Sequence, residues 1–259
     1  MMRKALLTMT MLFPLFWGTG GYADDVPVIA AASDLSYVLV KVSDRFARET
    51  GKQLRLSFGS SGNLKRLVEQ GAPFEIFMSA DEDYVFQLAD RGLTIDRGQV
   101  YGLGRLVLFA PEGSVLANSP NLEMMPELMV TGEVRKFAIA NPRHAPYGRA
   151  AREALMNVNL WEKIENSLVF GENAGQAALF AVSGSTQGAI IPHSLALNPS
   201  ISAKGSFRLI DDTLHSPLRQ RMVLLKHAGA TARQFYDYLQ TVAIRKMMHN
   251  YGFTAPGEM

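Results

Sequence analysis

The sequence contains no cysteine. It therefore has no disulfide bridges and no cysteine that a lipid could modify, so a fold outside the cytoplasm would be held together by its hydrophobic core alone. It also lacks a long hydrophobic run after its first 23 residues, whereas a bilayer-spanning helix needs about 20 apolar residues. These absences exclude a disulfide scaffold and an integral membrane protein.

A block of Lys or Arg residues is also missing. The chain has 26 basic and 24 acidic residues, and two of the basic ones, Arg3 and Lys4, lie in a segment that we expect to be removed. The remaining chain then carries equal numbers of both charges, which disfavours binding to nucleic acid or to an anionic membrane. If the protein binds an anion, local geometry must provide the site.

The common motifs of catalytic sites are absent as well. The sequence has no Gly-x-Ser-x-Gly nucleophile elbow, no His-Glu-x-x-His, no Walker loop and no Gly-x-Gly-x-x-Gly turn after a strand. This pattern favours a binding protein over an enzyme.

The N-terminal residues have the pattern of a targeting segment. Arg3 and Lys4 precede an apolar run over residues 5–17, and a stretch of small residues ends at Ala23. This arrangement is typical of a secretory signal peptide. We therefore expect residues 1–23 to be a signal peptide cleaved after Ala23, and a periplasmic protein that does not insert stably into the membrane.

After this segment, short apolar runs alternate with helical patterns. Apolar residues from Leu35 to Phe46, for example, recur at helical spacing up to a stop at Gly51. Strands that alternate with helices predict an α/β fold, with mostly parallel sheets flanked by helices and two such units along the chain. The predicted strands are residues 26–32, 54–58, 74–78, 103–109, 137–140, 188–191 and 221–225.

Small and hydroxyl residues stand in four turns that precede predicted helices, three of them after a predicted strand. The first helical turn has backbone N–H groups without intrahelical partners and the positive end of the helix dipole, and such turns gather at the carboxyl ends of parallel strands. Facing one another, they would bind an anion through N–H and O–H donors without a basic side chain. Any one of them alone is more often a simple helix cap. The four turns contain Ser33-Asp34, Ser60-Ser61, Tyr147-Gly148 and Asn173-Ala174.

Longer strings make the sequence resemble a known family. They are AAAS at 30–33, LSFGSSG at 56–62, QGAPFEIFMSAD at 70–81, ANP at 140–142, PYG at 146–148, FYDYL at 235–239 and YGF at 251–253. Together they resemble the periplasmic molybdate-binding proteins of ABC transporters, over essentially the whole chain after residue 23.

The resemblance implies the class II periplasmic binding protein fold with two lobes, each a mostly parallel sheet flanked by helices. Residues 24–105 and 211–259 would form lobe one, and residues 106–210 would form lobe two. The protein would capture molybdate, and tungstate as a near-isosteric dianion, and deliver it to the membrane permease of an ABC transporter. We expect a monomer that needs no cofactor.

The resemblance also implies the site residues. By position, the anion contacts of the family fall on Ser33 and Ser61, each through its hydroxyl and backbone N–H, on Tyr147, and on the backbone N–H of Ala174. The backbone N–H of Asp34 is a further candidate. These residues would hold an oxyanion, and no site for a metal cation is predicted.

Two positions depart from the family pattern. Many members carry a Tyr whose hydroxyl reaches the anion where this chain has Ile191, so we expect Tyr147 to supply that donor instead. Asp34 stands where related sequences have a neutral polar residue, and a carboxylate facing an oxyanion would be costly in a closed site. We therefore expect the Asp34 carboxylate to cap the helix or meet solvent, which leaves a site made of donors only.

Other ligands remain open from the residues alone. A binding protein for sulfate, phosphate or a chelated metal is the main alternative. Sulfate is smaller than molybdate and would leave hydrogen bonds stretched, and protonated phosphate would need an acceptor that a donor-only site lacks. A sensor or an adhesin is disfavoured because the chain carries no additional domain.

Overall fold

The structure is a computed structural model that describes residues 26–117 and 120–254. The predicted signal peptide, residues 1–23, lies outside the described residues. Within those ranges, no helix combines the length and the apolar character that crossing a membrane requires.

The described chain forms ten β-strands in two five-stranded sheets. The strands are β1 (Val28–Ala32), β2 (Arg55–Gly59), β3 (Phe74–Ser79), β4 (Gln99–Gly104), β5 (Leu106–Pro111), β6 (Phe137–Ala140), β7 (Leu168–Gly171), β8 (Gly188–Pro192), β9 (Gly205–Leu209) and β10 (Leu218–Leu224).

Eleven α-helices lie between and after the strands in the same ranges. They are α1 (Ser36–Thr50), α2 (Ser61–Glu69), α3 (Glu82–Asp90), α4 (Met125–Val130), α5 (Pro146–Asn157), α6 (Trp161–Ile164), α7 (Ala174–Val182), α8 (His193–Ala196), α9 (Pro199–Ser202), α10 (Ala230–Leu239) and α11 (Val242–Asn250).

Each sheet contains one strand that runs against the others. The first sheet has the order β2-β1-β3-β10-β4, and β10 is antiparallel to both of its neighbours. The second has the order β7-β6-β8-β5-β9, and β5 is antiparallel to both of its neighbours. In both sheets the reversed strand is the one that the chain enters after crossing from the other sheet. The predicted two-lobed α/β fold is confirmed, with sheets that are mixed rather than purely parallel.

The first crossing corrects one predicted element. The apolar run at 103–109 predicted a single strand, but β4 ends at Gly104 in the first sheet and β5 begins at Leu106 in the second. Both halves are buried, so hydrophobicity alone does not show where the chain changes sheets. The lobe boundaries at 105/106 and 210/211 remain a prediction.

The hydrophobic core follows this division. Alternate residues of β1 point to opposite faces of the first sheet: Ile29 packs with the cluster around α1 and α10, and Ala30 with the cluster around α2 and α3. The second sheet and helices α4 to α9 share a third cluster. Ala32, Ala80 and Leu218 of lobe one belong to this third cluster, so the two lobes are packed against each other.

The apolar spacing of helix α1 determines which face of the helix packs against the core. Leu35, Val38, Leu39, Val42 and Phe46 are all buried, at the spacing that places them on one face of a helix. The helix stops where Gly51 adopts a φ of 73°, a left-handed conformation that favours glycine. The packing of α1 thereby holds the turn before it, Ser33–Leu35, at the carboxyl end of β1.

Candidate anion-binding site

The four predicted turns lie at the carboxyl ends of β1, β2, β6 and β7, and the structure brings them together between the lobes. The backbone N–H of Gly175 in lobe two donates to the hydroxyl of Ser33 in lobe one at 3.2 Å. The backbone N–H of Gly62 in lobe one donates to the carbonyl of His144 in lobe two at 2.9 Å. The predicted turns therefore face one another across a closed cleft.

Ser33 and Ser61 occupy equivalent positions after two neighbouring strands. Ser33 begins the 3₁₀ turn after β1, Ser61 begins α2 after β2, and both side chains are buried. The Ser61 hydroxyl accepts from the backbone N–H of Ala80 at 3.0 Å, as the Ser33 hydroxyl accepts from Gly175. Because a hydroxyl that accepts a hydrogen bond still has its own proton, both side chains can donate to an anion.

Ala174 is the first residue of α7, after the cap residue Asn173. The side-chain oxygen of Asn173 accepts from the backbone N–H of Gln176 at 3.1 Å, which satisfies one first-turn donor. Gly175 of the same turn already points at Ser33. The N-terminus of α7 is therefore directed toward lobe one, with the positive end of its dipole in the cleft.

The hydroxyl of Tyr147 forms hydrogen bonds within the protein. It lies in the first turn of α5, where Pro146 stands at the helix start, and it is buried. Its hydroxyl donates to Asp34 Oδ2 at 3.0 Å and accepts from the side-chain amide of Gln220 at 2.8 Å. The same amide donates to Asp34 Oδ2 at 2.7 Å. Tyr147 is thus part of a buried triad that joins lobe two to lobe one.

The expectation that the Asp34 carboxylate meets solvent is wrong, because Asp34 is 1% exposed. Against the effect of this burial, backbone hydrogen bonds at Asp34 and Leu35, in its own turn, lower the pKa of the carboxylate. Its Oδ1 is buried without a hydrogen bond of good geometry. Burial raises the pKa of Asp34 from 3.8 to about 6, although the hydrogen bonds from Gln220 and Tyr147 act in the opposite direction. The cleft therefore holds an acceptor as well as donors.

The phenol of Tyr147 responds to the same surroundings. Burial, and then the neighbouring Asp34 carboxylate, raise the pKa of Tyr147 well above its usual value of 10.0. Tyr101, whose hydroxyl donates to Gln220 Oε1 at 2.6 Å, has its pKa raised for the same two reasons. Both phenols stay protonated at any physiological pH and can act as donors.

Gln220 is the residue of this triad that the sequence reasoning missed. It is fully buried in β10, between the buried residues Leu218 and Met222. The alternation of buried and outward residues in Leu218-Arg219-Gln220-Arg221-Met222 has the period of a strand, and this pattern could have placed Gln220 on the inner face. The predicted strand began at Arg221 and so excluded it.

Gly104 explains how the triad can lie beside the crossing between lobes. A Cβ at this position would lie 2.3 Å from the Tyr147 hydroxyl oxygen and 2.7 Å from Gln220 Nε2. Only a residue without a side chain allows β4 to end against the triad.

Further contacts join the lobes around the rim of the cleft. Arg149 on α5 pairs with Asp81 at 2.6 Å, and the His144 ring nitrogen Nδ1 lies 2.9 Å from the Ser60 hydroxyl. Glu172 of lobe two accepts from the side-chain amide of Asn63 in lobe one. These contacts stabilise the closed arrangement and would break when the lobes separate.

Gly62→Ala tests whether this arrangement is needed for binding. A Cβ at Gly62 would lie 2.7 Å from the His144 carbonyl oxygen, a backbone atom that cannot rotate away. Because the clash is between lobes, we expect full closure to be blocked while each lobe still folds. Overpacking typically costs about 1–3 kcal/mol, which predicts roughly tenfold to hundredfold weaker anion binding by calorimetry.

Gly175→Ala is the matched control, since a Cβ there meets only the Asn173 side-chain oxygen at 3.2 Å and Ser33 Cβ at 3.7 Å. We expect it to bind within a few-fold of the parent. Small-angle scattering at saturating ligand should show compaction for the control and a smaller change for Gly62→Ala. Equal affinity of both variants would show that this closed contact is not needed.

Ile191 has no polar group that could donate a hydrogen bond to an anion. It is fully buried and pairs with Val107 in the ladder between β5 and β8. Its apolar side chain is part of the core of lobe two.

Among the described residues, no group of three or more His, Asp or Glu side chains is arranged to hold a metal ion.

Two lobes joined by two crossings, with helix N-termini and hydroxyl groups converging in the cleft, define a solute-binding protein of the hinged, two-lobed class. The chain belongs to the family of bacterial extracellular solute-binding proteins, whose family model matches residues 27–254.

Comparisons with individual proteins support this family assignment. The chain is 30% identical to the molybdate-binding protein ModA of Haemophilus influenzae, covering 89% of this chain and 90% of that protein. It is 28% identical to the molybdate-binding protein ModA of Rhodobacter capsulatus, covering 87% of each. Among solved structures, the periplasmic molybdate-binding protein of Azotobacter vinelandii matches with a TM-score of 0.80 and 25% identity, over 89% of this chain and 99% of that chain.

The matches confirm the predicted resemblance. They are to solute-binding proteins, so the prediction of a binding protein rather than an enzyme is confirmed as well. The placement of individual anion contacts is not tested by these matches and stays a prediction.

Proposed function

We propose that this protein captures molybdate, and also tungstate, and delivers it to the membrane permease of an ABC transporter. The observation that carries the proposal is the convergence of the Ser33 and Ser61 hydroxyls with the N-terminus of α7 in a buried cleft between two lobes. The names of the relatives support molybdate as the anion.

The proposed contacts are the hydroxyl and backbone N–H groups of Ser33 and Ser61, the hydroxyl of Tyr147, and the backbone N–H of Ala174. The backbone N–H of Asp34 is a further proposed contact. Two hydroxyls come from lobe one and the other two main contacts come from lobe two. Binding energy would therefore favour the closed state, because only this state brings all of the donors to the anion.

Delivery requires that the anion first reach the periplasm-facing side of the permease. The proposed signal peptide, residues 1–23, with cleavage after Ala23, would place the protein there as a soluble monomer. The permease would then recognise the closed protein and open it.

Calorimetry of the chain without residues 1–23 tests the anion directly. We expect molybdate and tungstate to bind with similar affinity, because the two dianions have nearly the same size and charge. Sulfate and phosphate are smaller, so donors set for molybdate would form stretched hydrogen bonds, each worth up to about 1.5–3 kcal/mol when well made.

The comparison should use molybdate, tungstate, sulfate, phosphate and nickel under identical conditions. Molybdate binding at least tenfold tighter than sulfate would support the proposal. Tighter binding of sulfate, phosphate or nickel than of molybdate would identify a different solute and refute it.

A further inference from the structure

The buried triad of Asp34, Tyr147 and Gln220 lies where the proposed anion contacts meet. Asp34 follows Ser33 directly, and Tyr147 is itself a proposed contact. Asp34 Oδ1 is buried without a hydrogen bond of good geometry, although the backbone N–H groups of Asp34 and Leu35 lie close enough to lower the pKa of the carboxylate. Oδ2 accepts from both other members of the triad. A buried carboxylate with one weakly paired oxygen has an unmet need for a proton or a donor.

Every N–H and O–H proton of the Gln220 and Tyr147 side chains is already used in a hydrogen bond. The amide of Gln220 has two N–H groups, one for Asp34 Oδ2 and one for the Tyr147 oxygen, and its Oε1 is taken by the hydroxyl of Tyr101. The Tyr147 hydroxyl has a single proton, which it donates to Asp34 Oδ2. While Asp34 is ionised, Tyr147 therefore has no proton left for an anion.

Protonation of Asp34 removes this restriction. One proton from solvent adds to the carboxylate, and the new O–H can donate to the Tyr147 oxygen, which has lone pairs for both Asp34 and Gln220. The Tyr147 hydroxyl can then turn its own proton toward the cleft. A bound dianion would also repel an ionised Asp34, so its presence favours the same protonated state.

We propose that Asp34 takes up one proton when the protein binds a tetrahedral dianion, and that this proton allows Tyr147 to donate to the anion. The inference rests on the proposed function, because it requires an oxyanion in the cleft. Asp34 would then couple anion binding to the uptake of one proton.

The surroundings of Asp34 contain little else that could respond to pH. The titratable groups that face it in the described part of the chain are Tyr147 from α5 and Tyr101 from β4. From α8, the Ser194 hydroxyl donates to the backbone carbonyl of Asp34 at 2.9 Å, and α7 has no ionisable side chain. The ionisable side chain on α8 is His193, whose pKa is lowered by burial and by Arg105.

The proposed proton uptake predicts how molybdate affinity changes with pH. Burial places the pKa of Asp34 at about 6 in this closed structure, and separation of the lobes would remove part of that burial, so the carboxylate of the free protein is mostly ionised above pH 6. The bound state then holds one more proton than the free state, and affinity must fall as pH rises. Between pH 6.5 and 8.5 we expect molybdate binding to weaken by roughly a hundredfold, since molybdate itself stays fully ionised.

Asp34→Asn removes the titrating group and keeps its shape. An amide nitrogen at the Oδ2 position can donate to the Tyr147 oxygen at every pH, but it cannot accept the N–H of Gln220, which loses this partner. We therefore expect affinity to vary by less than about threefold over the same pH range. At pH 8.5 this variant should bind molybdate more tightly than the parent. The matched control is Asp44→Asn, an exposed aspartate on α1, which should keep the steep pH dependence.

Proton uptake can also be measured without any variant. Calorimetric titration of the parent protein with molybdate at pH 7.5, in two buffers of different ionisation enthalpy, should give about one proton taken up per anion bound. This measurement decides the matter even if Asp34→Asn fails to fold.

The outcomes separate the two proposals. A flat pH profile with tight molybdate binding would overturn the role of Asp34 and leave the proposed function intact. A steep profile that persists in Asp34→Asn would also overturn it, since another group would then take the proton. Absence of molybdate binding at every pH would refute the proposed function, and this inference with it.

Discussion

Replacing Ser33 and Ser61 together by alanine is expected to weaken molybdate binding by roughly a hundredfold to ten-thousandfold. Each hydroxyl accepts a hydrogen bond from a backbone N–H and still has its own proton to donate. A hydrogen bond to a charged group is worth about 1.5–3 kcal/mol, so each single variant should lose roughly tenfold to a hundredfold. Water cannot replace the lost donor in a closed, buried site.

Calorimetry of the two single variants and the double variant measures these losses. Ser202→Ala is the control, because Ser202 is exposed at the end of α9, away from the cleft. Thermal unfolding should show that all four proteins are folded. A double variant that binds as tightly as the parent would remove both serines from the site.

Tyr147→Phe is expected to weaken molybdate binding by roughly tenfold to a hundredfold. The change removes the hydroxyl proposed to reach the anion, since Ile191 offers none. It also leaves Asp34 Oδ2 with Gln220 as its remaining partner. The Gln220 N–H that donated to the Tyr147 oxygen loses its acceptor. An unmet buried polar group typically costs about 1–3 kcal/mol, so thermal stability should fall as well.

Two readings of Tyr147→Phe are separated by measuring affinity and stability together. If the hydroxyl contacts the anion, affinity falls in the folded variant. If Tyr147 only joins the lobes through the triad, the protein loses stability while molybdate binding matches that of the parent. That second result, with Ser33→Ala still impaired, would contradict the assignment of Tyr147.

Much of the fold could be predicted because strand and helix patterns are local. The apolar spacing in α1 and the run that forms β3 lie close to their predicted positions. The crossing at Gly104 could not be predicted, because hydrophobicity reports burial but not the sheet in which a residue is buried. Strand β7 (Leu168–Gly171) was not predicted, since its first three residues are not fully buried and it is short.

The candidate site was predicted less completely. Ser33, Ser61, Tyr147 and Ala174 could be named because their motifs are local strings, and the structure places them at one cleft. The partner of Asp34 could not be found this way, because Gln220 is 186 residues away along the chain. Only the folded chain shows that the carboxylate is buried between these partners, which explains why its predicted position was wrong.

The position of β10 in the first sheet leads us to expect that this sheet is completed after the second one. β10 lies between β3 and β4, so β4 joins this sheet through a strand made more than 100 residues later. The second sheet needs nothing beyond β9 and can form as soon as Leu209 has been made. The lobe that begins the chain is therefore the last to be completed. Forming its sheet closes a long loop, a step that is slow because much chain entropy is lost before the contacts are gained.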